Sequence, residues 1–162
     1  MLVGVIADTH DNMDEISRAV DYFNSRNVDV VLHAGDYISP ITVREFRHLS
    51  ANLIGVFGNN DGDRLMLRDQ FSEKGIGEIH RDPHYFTLGG REVLLMHQPK
   101  FLDILVGSNW EGLIVYGHTH EVDVREGPPL LVNPGECCGL LSGRSTVAVV
   151  DLGSMEAEVV EL

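Results

Sequence analysis

The sequence predicts an α/β fold, either one mixed β-sheet or two stacked sheets, with helices on the outside. In the first half of the chain, short apolar runs alternate with amphipathic segments, which favours parallel strands joined by helices. In the second half, strand-like runs follow one another, mostly with turn residues between them. The 162 residues, 43% hydrophobic and 23% charged, have the composition of a globular protein, and we expect residues 1–162 to form one domain.

Strands and helices alternate in the first half. Continuous apolar runs are typical of strands covered on both faces, and they predict strands at Leu2–Ala7, Val28–Leu32 and Leu53–Phe57. Polar capping residues predict where the helices start. We expect helices after Asn12, from Ser39-Pro40 through Leu49, and over residues 64–72.

The second half reads mainly as strands and turns. Gly89-Gly90 separates two strand-like runs, which indicates a hairpin of 85–88 with 92–96. A helix around Leu102–Val106 precedes a short buried strand at Leu113–Tyr116. Turn residues at 127–129 and 153–154 separate the remaining strand-like runs, including 146–152 and 157–162.

The charge of the chain excludes one class of partner. Twelve Lys and Arg against 25 Asp and Glu give a net charge of −13, which repels duplex nucleic acid. A small phosphorylated ligand is still compatible, because bound cations can reverse the potential inside one cleft.

Targeting signals and cysteines give little sign of secretion. No apolar run approaches the roughly 20 residues of a membrane-spanning helix, and the amino terminus lacks the basic region of a signal peptide, so we expect a cytoplasmic protein without a membrane partner. Cys137 and Cys138 are adjacent and are predicted to be buried, reduced thiols without a catalytic role. A homo-oligomer is compatible with the sequence.

Candidate ligands for a metal follow five of the apolar runs. They are Asp8 and His10, then Asp36, then Asn59, Asn60 and Asp61, then His97, and finally His118 and His120. Because the carboxyl ends of parallel strands meet at one edge of a sheet, these side chains can converge although they span more than a hundred positions. Each cluster alone also has a structural explanation: Asp8 can cap a turn, and His118 and His120 can share one strand face. Only the joint pattern points to a site.

The donor set suits divalent transition metals. Carboxylate, amide and imidazole groups without a thiolate favour Mn²⁺, with Ni²⁺, Fe²⁺ or Zn²⁺ as alternatives. Seven residues are too many for one ion and suit two ions that share a carboxylate. Two dications carry four positive charges against the two negative charges of Asp8 and Asp36, so the centre attracts a phosphodiester.

The order of these motifs closely resembles the calcineurin-like metallophosphoesterases, in particular their small single-domain bacterial and archaeal phosphodiesterases. The motifs are Asp8-x-His10, Gly35-Asp36, Gly58-Asn59-Asn60-Asp61, His97 and Gly117-His118-Thr119-His120. The resemblance covers the whole chain and implies two stacked mixed β-sheets flanked by helices. It also implies that Asp36 bridges two metals, one held with Asp8, His10 and His120, the other with Asn59, His97 and His118.

Two positions depart from the family pattern. Asn60 stands where most members have the histidine that protonates the leaving group, and Met96-His97-Gln98 lacks the glycine that is usual beside this histidine. Asparagine can hold a phosphoryl oxygen but cannot give up a proton, and general acid catalysis is worth about 10²- to 10⁴-fold. We therefore expect Asn60 to steady charge in the transition state and Asp61 to have a supporting role.

The resemblance implies a metal-dependent phosphodiesterase in which a hydroxide bridging two metals attacks a small-molecule phosphodiester in line. Esters with acidic leaving groups are the expected substrates. A phosphomonoesterase is the near alternative, and a protein-binding scaffold, as in the retromer subunit, is the alternative of another class. All seven ligand positions are filled, which favours an enzyme. The physiological substrate and the native metal are left open by the sequence.

The remaining histidines and the tryptophan are interpreted as structural. Strand alternation turns His33 away from Asp36, so we expect it in the core or in support of the site. His80 and His84 flank Asp82-Pro83 and are interpreted as surface turn residues. Trp110 is interpreted as a packing residue.

Overall fold

The computed structural model describes residues 1–108 and 110–162 as two stacked β-sheets with helices on both outer faces. The strands are β1 (Leu2–Ile6), β2 (Val30–His33), β3 (Asn52–Val56), β4 (Gly77–His80), β5 (His84–Leu88), β6 (Arg91–Leu95), β7 (Leu113–Val115), β8 (Val122–Arg125), β9 (Leu130–Pro134), β10 (Thr146–Asp151) and β11 (Glu156–Glu161). The helices are α1 (Met13–Arg26), α2 (Val43–Phe46), α3 (Arg64–Glu73) and α4 (Leu102–Val106).

The first sheet has one antiparallel edge and is otherwise parallel, and the second has a parallel centre between two antiparallel edges. The first sheet has the order β11-β10-β1-β2-β3-β4, and its strands β1 to β4 run parallel. The second has the order β5-β6-β7-β9-β8, with β6, β7 and β9 parallel. The carboxyl ends of β1, β2 and β3 therefore form one row of loops, and those of β6 and β7 form another.

The alternation of side chains along the strands builds a four-layer arrangement. Val3 and Val5 point toward the second sheet, where they pack with Leu113 and Val115. Ile6 points the other way and packs against α1 with Phe23. The outer face of the second sheet is covered by α4 and neighbouring residues. The α/β/β/α arrangement that the motifs implied is confirmed.

Helix α1 is formed as its capping pattern predicts. The Asn12 side chain accepts a hydrogen bond from the Glu15 amide, and two acidic residues occupy the first turn, where the helix dipole favours them. Its buried residues recur at helical spacing: Ile16, Ala19, Val20 and Phe23.

The long second helix predicted from Ser39 to Leu49 is wrong. The segment forms a 3-10 turn at Pro40–Thr42 followed by the single helical turn α2. The Ser39 hydroxyl donates to the Asp11 carboxylate at 2.8 Å instead of capping the helix. Beyond α2 the chain continues with tighter bonds, such as that from the Leu49 amide to the Phe46 carbonyl.

Strand β4 was absent from the sequence prediction. Its four residues include one large apolar side chain, Ile79, and the strand is recognisable only from its parallel pairing with β3. The interpretation of His80 and His84 as turn residues is therefore corrected. His80 ends β4 and His84 begins β5, and their rings stack with centroids 3.7 Å apart.

Among the described residues, the structure contains no helix with the length and apolar character needed to cross a lipid bilayer.

Candidate metal centre

The predicted ligands lie together where the two sheets meet. Loops after β1, β2 and β3 bring Asp8, His10, Asp36 and Asn59 from the first sheet, while loops after β6 and β7 bring His97, His118 and His120 from the second. The loops are held to one another by backbone hydrogen bonds, such as that from the Asp8 amide to the Gly35 carbonyl at 3.0 Å. The site therefore spans two sheets and does not lie along the edge of one.

One half of the cluster gathers around Asp8. Ligand atoms of Asp8, His10 and His120 all lie within 4.8 Å of one another. The Asp8 Oδ1 atom is 3.9 Å from His10 Nε2 and 3.7 Å from His120 Nε2. The Asp8 carboxylate, followed by the charge of Asp36 and despite the opposing effect of burial, raises the pKa of His10.

The other half gathers around His97. Its Nε2 atom is 2.8 Å from Asn59 Oδ1, 3.5 Å from Asp36 Oδ2 and 3.2 Å from His118 Nδ1. His118 is the most exposed of these histidines and stands at the rim of the cluster. Asp36 connects the halves, because its Oδ2 atom also lies 3.6 Å from His10 Nε2.

These residues fit divalent cations on three counts. Asp8 and Asp36 are at most 1% exposed, yet within the described chain no Lys or Arg forms an ion pair with either. Asp8 Oδ1 and His10 Nε2 are buried without a hydrogen-bond partner. When His97 Nδ1 donates to the Ala34 carbonyl, the Nε2 lone pair faces the Asn59 oxygen, which is also an acceptor. Two acceptors that face each other favour a cation shared between them.

The backbone is strained at most of the predicted ligands. Five of the seven have a positive φ: Asp8 (52°), His10 (42°), Asp36 (60°), His118 (71°) and His120 (60°). Non-glycine residues rarely adopt this conformation, and such strain clusters at functional sites. The positions of His118 and His120 also correct the alternative of a shared strand face, since β7 ends at Val115.

Two glycines are required by the close approach of the loops. A Cβ atom at Gly58 would overlap the carboxylate and the backbone nitrogen of Asp36. One at Gly117 would lie 2.8 Å from Asp8 Oδ2. Larger residues at either position would displace a carboxylate of the cluster.

Asn60 and Asp61 occupy different positions. Asn60 donates from its backbone nitrogen to Asp36 Oδ1 at 2.9 Å and from its side chain to Asp36 Oδ2 at 2.8 Å. Asp61 accepts from the amides of Ile38 and Gly58 at 2.8 and 2.7 Å, so it holds two loops together and does not face the cluster. Burial raises the pKa of Asp61 against the stabilising effect of these amides.

Glu136 is a residue of the site that the sequence analysis missed. His120 Nδ1 donates to Glu136 Oε2 at 2.6 Å, which turns His120 Nε2 toward Asp8. Burial alone would raise the pKa of Glu136, but hydrogen bonds from His120, Ser142 and Cys138 lower it to about 2. A signal existed: Glu136 follows the buried strand β9, as the other ligands follow theirs.

His33 supports the site, as expected, through hydrogen bonds to the loops after β1 and β2. Its Nδ1 atom accepts from the Gly35 amide, so Nε2 carries the proton and donates to Thr9 Oγ1 at 3.2 Å. Thr9 in turn donates to the Asp36 carbonyl. The His33 ring stacks on Tyr37, and burial lowers its pKa well below 6.5, which keeps it neutral.

Comparison with known proteins identifies the family. The calcineurin-like phosphoesterase superfamily domain matches residues 1–155. The chain belongs to this family. Over 159 residues that cover 96% of each chain, this calcineurin-like phosphoesterase is 35% identical to the phosphodiesterase MJ0936 of Methanocaldococcus jannaschii.

Solved structures agree with the family assignment. An archaeal phosphodiesterase, 34% identical, matches with a TM-score of 0.93 and full coverage of both chains. Vps29 of Entamoeba histolytica, solved with zinc, matches with a TM-score of 0.68 at 21% identity and 99% coverage of each chain. The likeness to Vps29 shows the shared fold alone.

Proposed function

We propose that this protein is a dinuclear metal-dependent phosphodiesterase that hydrolyses a small-molecule phosphodiester. The observation that carries the proposal is the pair of buried carboxylates, Asp8 and Asp36, surrounded by imidazole and amide acceptors without a Lys or Arg partner among the described residues. The archaeal relative that is named a phosphodiesterase supports the choice of substrate. Since both sheets contribute ligands, residues 1–162 are proposed to act as one catalytic domain.

The ligands divide into two sets that share Asp36. Asp8, His10, Asp36 and His120 would hold one cation; Asp36, Asn59, His97 and His118 would hold the other. When bound, two divalent cations supply an activated water for in-line attack on phosphorus and neutralise charge on the phosphoryl oxygens. Mn²⁺ is the proposed metal, with Ni²⁺, Fe²⁺ or Zn²⁺ as substitutes that the same donors accept.

Hydrogen bonds fix which imidazole nitrogens would face the metals. The Ala34 carbonyl holds the Nδ1 proton of His97, and Glu136 holds the Nδ1 proton of His120. Both Nε2 atoms therefore keep a free lone pair directed into the cluster. Cys138 is assigned to the support of Glu136, because its thiol donates to Glu136 Oε2 at 3.1 Å and burial raises the pKa of that thiol to about 12.

Asn60 determines which esters react. Its side-chain amide next to Asp36 can stabilise a phosphoryl oxygen, but no proton is available from it for the leaving group. Esters whose leaving groups depart as stable anions, such as aryl esters, are therefore the favoured substrates.

Metal removal tests the proposal. The purified protein is stripped with a chelator, reloaded with Mn²⁺, and assayed with bis(p-nitrophenyl) phosphate, while mass spectrometry counts the bound metal. We expect about two ions per chain and activity only in the loaded state. Asp36→Asn should lose the bound metal and the activity. Asp21→Asn, the same change at an exposed position of α1, should keep the metal and the activity. Activity that is independent of metal would refute the proposal, and turnover confined to p-nitrophenyl phosphate would favour a phosphomonoesterase.

A further inference from the structure

A cleft opens directly beside the candidate metal centre. Its volume is about 800 Å³, within the range of small-molecule binding sites. Asn59 and His97 belong both to the wall of this cleft and to the cluster, so the two are continuous. Nothing in the proposed hydrolysis uses the rest of the cleft.

The cleft is basic although the protein is acidic. Four of the chain's 12 Lys and Arg line it, namely Arg64, Arg68, Arg81 and Lys100. Asp82 is the one carboxylate among its described lining residues, and it accepts a hydrogen bond from the His97 backbone amide at 2.9 Å. With neutral histidines the lining carries 4 − 1 = +3, whereas the whole chain carries −13.

Most of this positive charge is not neutralised by other side chains. Arg68 pairs with Asp69 at 2.8 Å, but within the described residues no carboxylate lies within 4.0 Å of Arg64, Arg81 or Lys100. Arg64 donates to the Gly58 carbonyl at 2.6 Å, a neutral partner that leaves its charge in place. Arg81 and Lys100 are exposed and free to meet a ligand.

We propose that this cleft binds a second phosphate group of the substrate, so that the preferred substrates are phosphodiesters carrying an additional terminal phosphate. The inference rests on the proposed function, because the metals hold the phosphate that reacts. A terminal phosphate carries close to two negative charges, which match the guanidinium of Arg81 and the ammonium of Lys100. A diester without it leaves both cations unused.

The charge outside the cleft argues for a compact substrate. Without the lining residues, the rest of the chain carries −13 − 3 = −16, which repels a long polyanion. The second phosphate must therefore lie close enough to the reacting one for both to fit within the cluster and the adjoining cleft.

Two matched substrates test this inference. Thymidine 5′-(p-nitrophenyl phosphate) and its 3′-phosphorylated counterpart have the same scissile ester and differ only in the second phosphate. In each, water adds to phosphorus and the bond to p-nitrophenolate breaks. We expect the Mn²⁺-loaded protein to show a KM about tenfold lower for the 3′-phosphorylated ester, a preference that shrinks as ionic strength rises.

Matched variants locate the effect. In Arg81→Gln/Lys100→Gln the preference should disappear while kcat/KM for the ester without the 3′-phosphate stays within about twofold. Arg44→Gln/Lys74→Gln changes the net charge by the same amount at a separate groove between α2 and α3, and should keep the preference. Circular dichroism checks that both variants are folded.

Calorimetry adds a readout that does not depend on turnover. Thymidine 3′,5′-bisphosphate should bind the loaded protein about tenfold more tightly than thymidine 5′-monophosphate, and Arg81→Gln/Lys100→Gln should abolish the difference. Equal affinities, or a difference that survives in that variant, would overturn the inference even if both esters are hydrolysed. If neither ester is hydrolysed, the proposed function fails, and the calorimetric difference alone decides whether the cleft is an anion site.

Discussion

Asn60 and Glu136 each contact one of the candidate metal ligands. Asn60 binds the carboxylate of Asp36 through both of its amide groups, and Glu136 binds His120 from behind. The sequence indicated the first, because a departure from a familiar motif is visible in the letters. Its signal for the second is weaker: Glu136 follows the buried strand β9, but a carboxylate that faces inward looks no different in sequence from one that faces solvent.

Asn60→His should restore a proton donor beside the reacting group. We expect kcat/KM for alkyl esters to rise about 10- to 100-fold relative to aryl esters, because only poor leaving groups need protonation. Parallel assays with methyl p-nitrophenyl phosphate and a dialkyl phosphate measure the ratio. An unchanged ratio would mean that Asn60 does not occupy the position of a general acid.

Glu136→Gln should weaken metal binding through His120. The variant keeps the size of the side chain but loses the charge that orients the imidazole, and losses of about 10- to 100-fold in affinity are typical of such partners. Titration calorimetry with Mn²⁺ measures the change. Glu126→Gln, the same substitution at an exposed turn position, is the control and should bind Mn²⁺ like the unchanged protein.

At the level of elements, the sequence predicted the strands that carry the site and failed at α2 and β4. Strand β1 and helix α1 have long, consistent patterns, so their local preference and their packing agree. Helix α2 is a single turn, and Ser39, the expected cap of a longer helix, is bound by Asp11 in a contact between loops far apart in sequence. Strand β4 depends on its pairing with β3, which the residues of β4 alone do not reveal.

Gly58→Ala tests how tightly the loop after β3 approaches the loop after β2. The added methyl group would overlap Asp36, so we expect a loss of about 1–3 kcal/mol in the free energy of unfolding together with weaker Mn²⁺ binding. Gly62→Ala in the same loop is the matched control, because a Cβ there meets nothing closer than the Ile38 carbonyl oxygen at 3.5 Å. Urea denaturation and calorimetry of both variants give the comparison, and similar results for the two would contradict the close approach.

At the level of the whole molecule, a buried neutral histidine makes stability depend on pH. Burial lowers the pKa of His33 in the folded protein, whereas the unfolded chain takes up the proton near pH 6.5. Below that pH, protonation stabilises the unfolded state relative to the folded one. The free energy of unfolding should therefore fall as the pH drops, by up to about 1.4 kcal/mol per pH unit.

Urea denaturation of the metal-stripped protein at pH 7.5 and 5.5 measures this loss. His33→Gln removes the titrating group, and its stability should change less between the two pH values than that of the unchanged protein. Equal changes in the two proteins would show that other groups cause the dependence.

The whole-molecule charge was readable from composition, but its distribution was not. The sequence gives −13, but Arg64, Arg81 and Lys100 are separated along the chain and only the fold brings them to one cleft. Likewise, five runs of apolar residues predicted that the ligands would converge, but not that they would come from two sheets.

The position of the cluster between the sheets joins the chemistry to the folding of the chain. Ions held there would cross-link the two sheets, because Asp8 and Asp36 follow strands of the first sheet and His97 and His120 follow strands of the second. Folding and metal occupancy would then form one linked equilibrium, in which each ion bound only by the native state adds to its stability. The concentration of free divalent cation would thus set the stability of the native state as well as the activity.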